Sequence, residues 1–173
     1  MDRPRIFIGS STEGLDVANA VHQNLDRIAE VTIWTQGLFQ LSIPTITSLM
    51  NSLTKFDYAI FIFYPDDLTN LRGNNVSTVR DNVIFETGLF AGKLGIEKVF
   101  FLKPRNVVAL HLPTDLLGVT AGEYDAARAD KNFVAATGPF CTQVRQQIEF
   151  FQNNPGIAHP QPPIDSGEKM GIP

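Results

Sequence analysis

One carboxylate, that of Glu86, lies in an otherwise apolar stretch with the spacing of a helix. Asn82, Glu86 and Phe90 fall on a single helical stripe, at positions i, i+4 and i+8. Burying a carboxylate is costly unless the group is paired or used in chemistry. The pattern therefore allows two interpretations: a catalytic carboxylate in a pocket, or a structural ion pair with Arg80 or Lys93 at the helix surface.

Two further polar segments follow apolar runs. Residues 9–14 (GSSTEG) contain Ser10 and Ser11, whose hydroxyls and backbone N–H groups suit a phosphate or a ribose, although no P-loop motif is present. An ordinary turn in which Ser or Thr caps the next helix explains the same residues. Asp66 and Asp67 follow the most apolar run and suit either ribose hydroxyls or a turn.

The elements that must position these residues alternate along the chain. Short apolar runs predict strands at 5–8, 31–34, 57–64 and 98–102, and helical periodicity predicts helices near 15–28, 46–53, 80–94 and within 133–151. Residues 69–77 are predicted to form a polar loop. Such alternation predicts an α/β fold, a parallel sheet with helices on both faces. Ligands bind at the carboxyl ends of such strands, which includes the polar start of the helix at Arg80 and Asn82.

Composition limits the remaining possibilities. The 173 residues predict one domain over 1–152 and a Pro- and Gly-rich linker or flexible tail over 153–173. A net charge of −4 without a basic run argues against nucleic-acid binding. The three histidines and the single cysteine show no ligand spacing, so we expect no metal. With no signal peptide and no apolar run of membrane-spanning length, we expect a soluble, cytoplasmic protein that does not bind membranes.

An ordered set of motifs makes the sequence similar to a known family. The motifs are residues 6–11 (IFIGSS), Trp34, residues 64–67 (YPDD), residues 80–95 (RDNVIFETGLFAGKLG) and residues 112–118 (LPTDLLG). Together they resemble the bacterial TIR-like family, whose members were first described as predicted nucleotide-binding proteins. These domains are effectors of cyclic-nucleotide-activated anti-phage systems, including fusions to STING-type sensor domains.

The resemblance implies a flavodoxin-like TIR fold and an NAD⁺ glycohydrolase with Glu86 as its catalytic residue. NAD⁺ is then a substrate, and no cofactor is needed. The resemblance places Phe7, Gly9, Ser10, Ser11 and Trp34 at the substrate. Further candidate substrate-binding residues are Asp66, Asp67, Arg80 and Asn82. Residues 36–44 correspond to the TIR BB loop, and the expected partners are other TIR subunits and a fused or separate cyclic-nucleotide sensor domain.

Two other functions fit the same sequence. The first is a non-catalytic TIR module that only self-associates, in which Glu86 would be a structural ion-pair partner. The second is an enzyme similar to nucleoside 2-deoxyribosyltransferases, which also use a glutamate beside an N-glycosidic bond but exchange the bases of free nucleosides.

Overall fold

The computed structural model describes residues 3–36, 45–71, 73–105, 107, 110–112 and 121–155. A five-stranded parallel sheet forms its centre. Its strands are β1 (Arg5–Gly9), β2 (Glu30–Ile33), β3 (Tyr58–Ile62), β6 (Val99–Pro104) and β8 (Gly122–Tyr124), in the spatial order β2-β1-β3-β6-β8. This order reverses direction at β1, as in flavodoxin-like folds, and confirms the predicted fold class.

Helices cover both faces of this sheet. They are α1 (Leu15–Leu25), α2 (Thr45–Ser52), α3 (Asp81–Leu94) and α4 (Phe133–Asn153), and single 3-10 turns follow α2 and α3 at Leu53–Lys55 and Ile96–Lys98. The predicted helices are confirmed, with ends that differ by a few residues. The glycine at position 95, φ +90°, ends α3 with a backbone conformation that other residues rarely adopt.

The two faces of the sheet bury different kinds of side chain, because neighbouring residues in a strand point to opposite sides. Ile6 and Ile8 of β1 join an aliphatic cluster under α1 and α4. Phe7, between them, joins an aromatic cluster under α2 and α3 that includes Phe61 and Phe90. Burial on both faces explains why the strands show continuous apolar runs rather than alternation.

The predicted polar loop at 69–77 is wrong, because those residues lie in an antiparallel hairpin. Its strands are β4 (Asp67–Leu71) and β5 (Asn74–Thr78), and β5 also pairs with the short strand β7 (Leu110–His111). Polar side chains bond across the hairpin: Asn70 Nδ2 donates to Asn75 Oδ1 at 3.1 Å, and the Thr69 and Thr78 hydroxyls are 3.1 Å apart. The sequence therefore lacks the apolar alternation that indicates a strand.

Several sequence predictions concern residues that the structure does not describe. Most of the predicted BB loop, most of the motif at 112–118 and nearly all of the predicted tail at 153–173 lie outside the described residues. Strand β8 has only three residues, which is too short for a recognisable pattern in the sequence, and it is not among the predicted strands. Among the described residues, no helix combines the length and the apolar character that crossing a bilayer requires.

Candidate functional site

A cleft with a volume of about 320 Å³ opens at the carboxyl ends of β1 and β2, beside the first turns of α3. This is the point at which the strand order reverses, where sheets of this type bind ligands. Six of the ten predicted site residues line it: Ser10, Ser11, Trp34, Arg80, Asn82 and Glu86. Residues that are far apart in sequence are thus brought together in one concave site.

Glu86 lies on α3, partly buried, between the exposed Asn82 one turn earlier and the fully buried Phe90 one turn later. Burial alone raises the pKa of its carboxyl from 4.5 to about 7. Within the part of the chain that the structure describes, Glu86 takes part in no ion pair, and Arg80 pairs instead with Glu13 and Asp67. The surface ion pair considered for Glu86 is therefore not formed.

The two serines of the β1–α1 loop are held by internal hydrogen bonds. The indole Nε1 of Trp34 donates to Ser10 Oγ at 3.1 Å, and the backbone N–H of Gly14 donates to Ser11 Oγ at 3.2 Å. Ser10 and Ser11 are only 6% and 4% exposed. Ser11 thus stabilises the turn before α1, but no Ser or Thr side chain caps this helix, whose N-cap residue is Gly14. Both serines still border the cleft.

Arg80, immediately before the first residue of α3, is the cationic residue among the described residues that line the cleft. Its guanidinium lies 3.2 Å from the Glu13 carboxylate and 3.8 Å from that of Asp67. These carboxylates raise the pKa of Arg80, with Glu13 the larger influence. Because all three side chains are exposed by a third or more, solvent screens the pairs, and an anionic ligand can compete for the guanidinium.

Asp66 and Asp67 do not line the cleft. Asp67 begins β4 and contacts Arg80. Both carboxylate oxygens of Asp66 are buried without a hydrogen bond of good geometry. Burial raises the pKa of Asp66, and the Ser11 hydroxyl opposes this shift. A direct contact between substrate and the Asp66 carboxylate is therefore not supported by its position.

The structure does not bring Phe7 and Gly9, both predicted to contact the substrate, to the cleft. Phe7 is 1% exposed and stacks on Phe90, with ring centroids 4.5 Å apart and planes 7° apart. A Cβ atom on Gly9 would lie 2.5 Å from the ring of Phe61, so this glycine permits close packing inside the sheet. Because β1 is buried on both faces, its continuous apolar run does not show which of its residues lie beside the cleft.

Two of the described residues that line the cleft, Thr12 and Val83, are not among the predicted site residues. Thr12 belongs to the loop at 9–14, and Val83 precedes Glu86 by one helical turn. Helical spacing from Glu86 was therefore the signal that could have identified Val83. In the described part of the chain, no three His, Cys, Asp or Glu residues cluster as metal ligands would.

A known protein family covers most of the chain. The sequence model for the family described as "CAP12/Pycsar effector protein, TIR domain" matches residues 5–126. The chain belongs to this family. The predicted TIR-like family is thereby confirmed, and the matched region contains all of the described residues that line the cleft.

Several relatives in the family are substantially similar. The Pycsar effector protein PaPycTIR of Pseudomonas aeruginosa is 40% identical over 141 residues, which cover 81% of this chain and 46% of the relative. The CD-NTase-associated protein 12 of a Lachnospiraceae bacterium (strain RUG226) is 31% identical over 157 residues, or 91% of this chain and 49% of the relative. The chain thus spans about half the length of the curated relatives it matches.

Proposed function

We propose that this TIR domain is an NAD⁺ glycohydrolase that cleaves the bond between nicotinamide and ribose, with Glu86 as the catalytic carboxylate. The observation that carries the proposal is the position of Glu86: it lies partly buried in a cleft at the reversal of the strand order and has no ion-pair partner among the described residues. Among the described residues no ion pair offsets the cost of burying this carboxylate, and such groups are typical of functional sites.

The chemistry suits a single carboxylate. Nicotinamide leaves as a neutral base when the bond from its ring nitrogen to ribose C1′ breaks with both electrons, so no general acid has to protonate it. The ribose develops oxocarbenium character, as in glycoside hydrolysis. Ionised Glu86 stabilises this positive charge and accepts hydrogen bonds from the ribose hydroxyls. Attack of water at C1′ gives ADP-ribose and a proton, and attack of the adenine ring gives the cyclic product.

Other residues of the cleft have roles in binding. Trp34 lines the cleft and provides an aromatic surface on which a ring of the substrate stacks, whereas Phe7 is buried. Arg80 faces the pyrophosphate, whose negative charge competes with Glu13 and Asp67 for the guanidinium. Asn82 is exposed at the start of α3 and offers both a donor and an acceptor to the ribose.

The proposal extends to the biological role. The names of the relatives describe Pycsar effectors and CD-NTase-associated proteins. We therefore assign this chain to the effector part of a bacterial anti-phage system that a cyclic nucleotide activates through a fused or separate sensor domain. A hydrolase that consumes the NAD⁺ of its own cell has to be inactive before activation, and assembly of TIR domains is the proposed trigger.

The test is NAD⁺ consumption by the chain at high protein concentration and in a clustered form, with the products separated by chromatography. Glu86→Ala and Glu86→Gln are run in parallel, and Glu149→Gln, an exposed residue of α4, is the control. We expect release of nicotinamide by the unaltered chain and the control, with at least a hundredfold loss in both Glu86 variants.

Two results would overturn the proposal. Equal nicotinamide release by the unaltered chain and the Glu86 variants would remove Glu86 from the reaction. Absence of cleavage by every clustered form would indicate a TIR module that only self-associates. Incubation with deoxynucleosides and a free base separates the deoxyribosyltransferase alternative, which predicts exchange of the base without consumption of NAD⁺.

A further inference from the structure

The contact between Ser10 and Trp34 joins the ends of two neighbouring strands. Trp34 directly follows β2, and its backbone N–H donates to Ile8 O at 3.0 Å. Its indole Nε1 then donates to Ser10 Oγ at 3.1 Å. Ser10 directly follows β1 and is 6% exposed. Trp34 is therefore fixed at both its backbone and its side chain to the strand beside it.

The hydrogen bond from the indole, unlike the one from the backbone of Trp34, affects the orientation of the ring. The torsion that sets the plane of an aromatic ring has a broad energy profile, so a ring at the edge of a cleft can take several orientations. Trp34 packs partly against both core clusters and partly lines the cleft. The hydrogen bond from Nε1 restrains the plane of the indole at the edge of the cleft.

We propose that Ser10 is a positioning residue, which holds the indole of Trp34 in the plane that receives an aromatic ring of the substrate. Ser10 then acts through Trp34 rather than through its own contact with the substrate. The identity of the substrate ring rests on the proposed function, whereas the orientation of the indole does not. Holding the ring in place before binding reduces the entropy that binding costs, so loss of the bond weakens binding.

Trp34 is the single tryptophan of the chain, so intrinsic fluorescence excited at the indole reports this side chain alone. In Ser10→Ala, we expect a lower fluorescence anisotropy and more efficient quenching by acrylamide than in the unaltered chain. The control is Ser52→Ala, which removes another buried serine whose hydroxyl donates to Ser48 O inside its own helix. This control should leave both fluorescence signals unchanged. Signals from Ser10→Ala that equal those of the unaltered chain would overturn the proposal without any measurement of activity.

Kinetics test the link to substrate. Loss of a neutral hydrogen bond that acts in binding predicts a KM for NAD⁺ that rises about three- to tenfold in Ser10→Ala, with kcat changed less than twofold. Trp34→Phe keeps an aromatic ring but has no N–H group, and should raise KM to a similar extent. The double variant should then show little further increase, because both changes remove the same contact.

The outcomes separate the two proposals. Altered fluorescence with an unchanged KM would show that Ser10 orients the indole but that this orientation does not serve binding, which overturns the inference and leaves the glycohydrolase intact. Independent, multiplying effects of Ser10→Ala and Trp34→Phe on KM would also overturn it. If the chain does not cleave NAD⁺, quenching of Trp34 fluorescence by NAD⁺ titrated into the unaltered chain and Ser10→Ala replaces KM as the measure of binding.

Discussion

The charge of Glu86 changes close to neutral pH. Burial raises the pKa of its carboxyl to about 7, whereas an exposed glutamate is ionised throughout the neutral range. The proposed mechanism needs the ionised form, since a neutral carboxyl cannot stabilise an oxocarbenium ion electrostatically. The activity of the domain should therefore depend on pH in a range where few side chains titrate.

We expect kcat/KM for NAD⁺ to fall about tenfold for each pH unit below 7 and to reach a plateau above pH 8. The direction follows from protonation of Glu86, and kcat/KM reports the groups of the free enzyme. Nicotinamide release measured from pH 5 to pH 9 at constant ionic strength tests this. A flat profile, or activity that increases on acidification, would contradict the role of an ionised Glu86.

Burial of Glu86 should also reduce the stability of the fold. Between pH 4.5 and about 7 the unfolded chain releases the proton of this carboxyl while the folded chain keeps it, so the free energy of unfolding decreases as pH rises through that range. The loss is complete above pH 7 and amounts to at most about 3 kcal/mol. It is absent below pH 4.5, where both states carry the proton.

Glu86→Gln removes this cost, and we expect the variant to unfold at a higher urea concentration than the unaltered chain at pH 8. The difference should be small at pH 4.5. Glu149→Gln makes the same chemical change at an exposed site of α4 and should show no comparable gain at pH 8. A Glu86→Gln variant that is less stable than the unaltered chain at pH 8 would show that the carboxylate has a stabilising partner.

At the scale of elements, the close approach of β1 and β3 depends on Gly9. This residue pairs with Phe61 in the sheet register, and an added Cβ would lie 2.5 Å from the Phe61 ring. Gly92, in contrast, lies in α3 with no atom within 4 Å of the corresponding position. A side chain at Gly9 would therefore clash with its neighbour, whereas Gly92 has room for one.

We expect Gly9→Ala to destabilise the fold by about 1–3 kcal/mol, because the methyl group has to displace a buried ring. Gly92→Ala should stabilise it by about 0.5–1 kcal/mol, because alanine loses less backbone entropy in a helix. Urea unfolding of the two variants beside the unaltered chain tests both values. Equal stability of Gly9→Ala and the unaltered chain would show that Phe61 moves aside at no cost.

Apolar patterning explains which elements could be predicted. Strands β1, β3 and β6 bury enough apolar side chains to appear as apolar runs in the sequence, and helices α1 and α3 show helical periodicity. The hairpin β4–β5 is polar, and the bonds that join its strands involve Asn70, Asn75 and other polar side chains. Strand β8 has three residues, too few for a period. The hairpin and β8 form because they pair with other strands, and their own residues carry no strand pattern.

A site residue could be predicted from the sequence where a charged or polar side chain interrupts an apolar pattern. Glu86 is such a residue, because a carboxylate in an apolar helix is unusual. The structure places it in a cleft. The apolar residue Phe7 interrupts no such pattern, and only its neighbours show that it packs inward. Hydrogen bonds such as that from Trp34 to Ser10 join separate elements, so the order of residues does not reveal them.

At the scale of the whole molecule, the proposed regulation depends on assembly. The cleft, at about 320 Å³, is at the small end of ligand sites, which suits part of a dinucleotide. We expect a fusion of the domain to an oligomerising tag to cleave NAD⁺ at least tenfold faster per subunit than the untagged chain at the same concentration. Nicotinamide release over a wide range of subunit concentrations measures this. Equal specific activity in both forms would exclude activation by assembly.

The packing of α4 on α1 has a consequence for how the chain is made. Asn24 of α1 donates to Val134 O at 2.9 Å and to Thr137 Oγ1 at 3.0 Å, and Phe140, Val144 and other residues of α4 complete the aliphatic cluster. More than a hundred residues separate these partners, and the family match ends at residue 126, before α4 begins. During synthesis on the ribosome, α1 alone covers the aliphatic face of the sheet until α4 has emerged. We expect chaperones that bind exposed apolar surface to recognise the chain in this partly covered state.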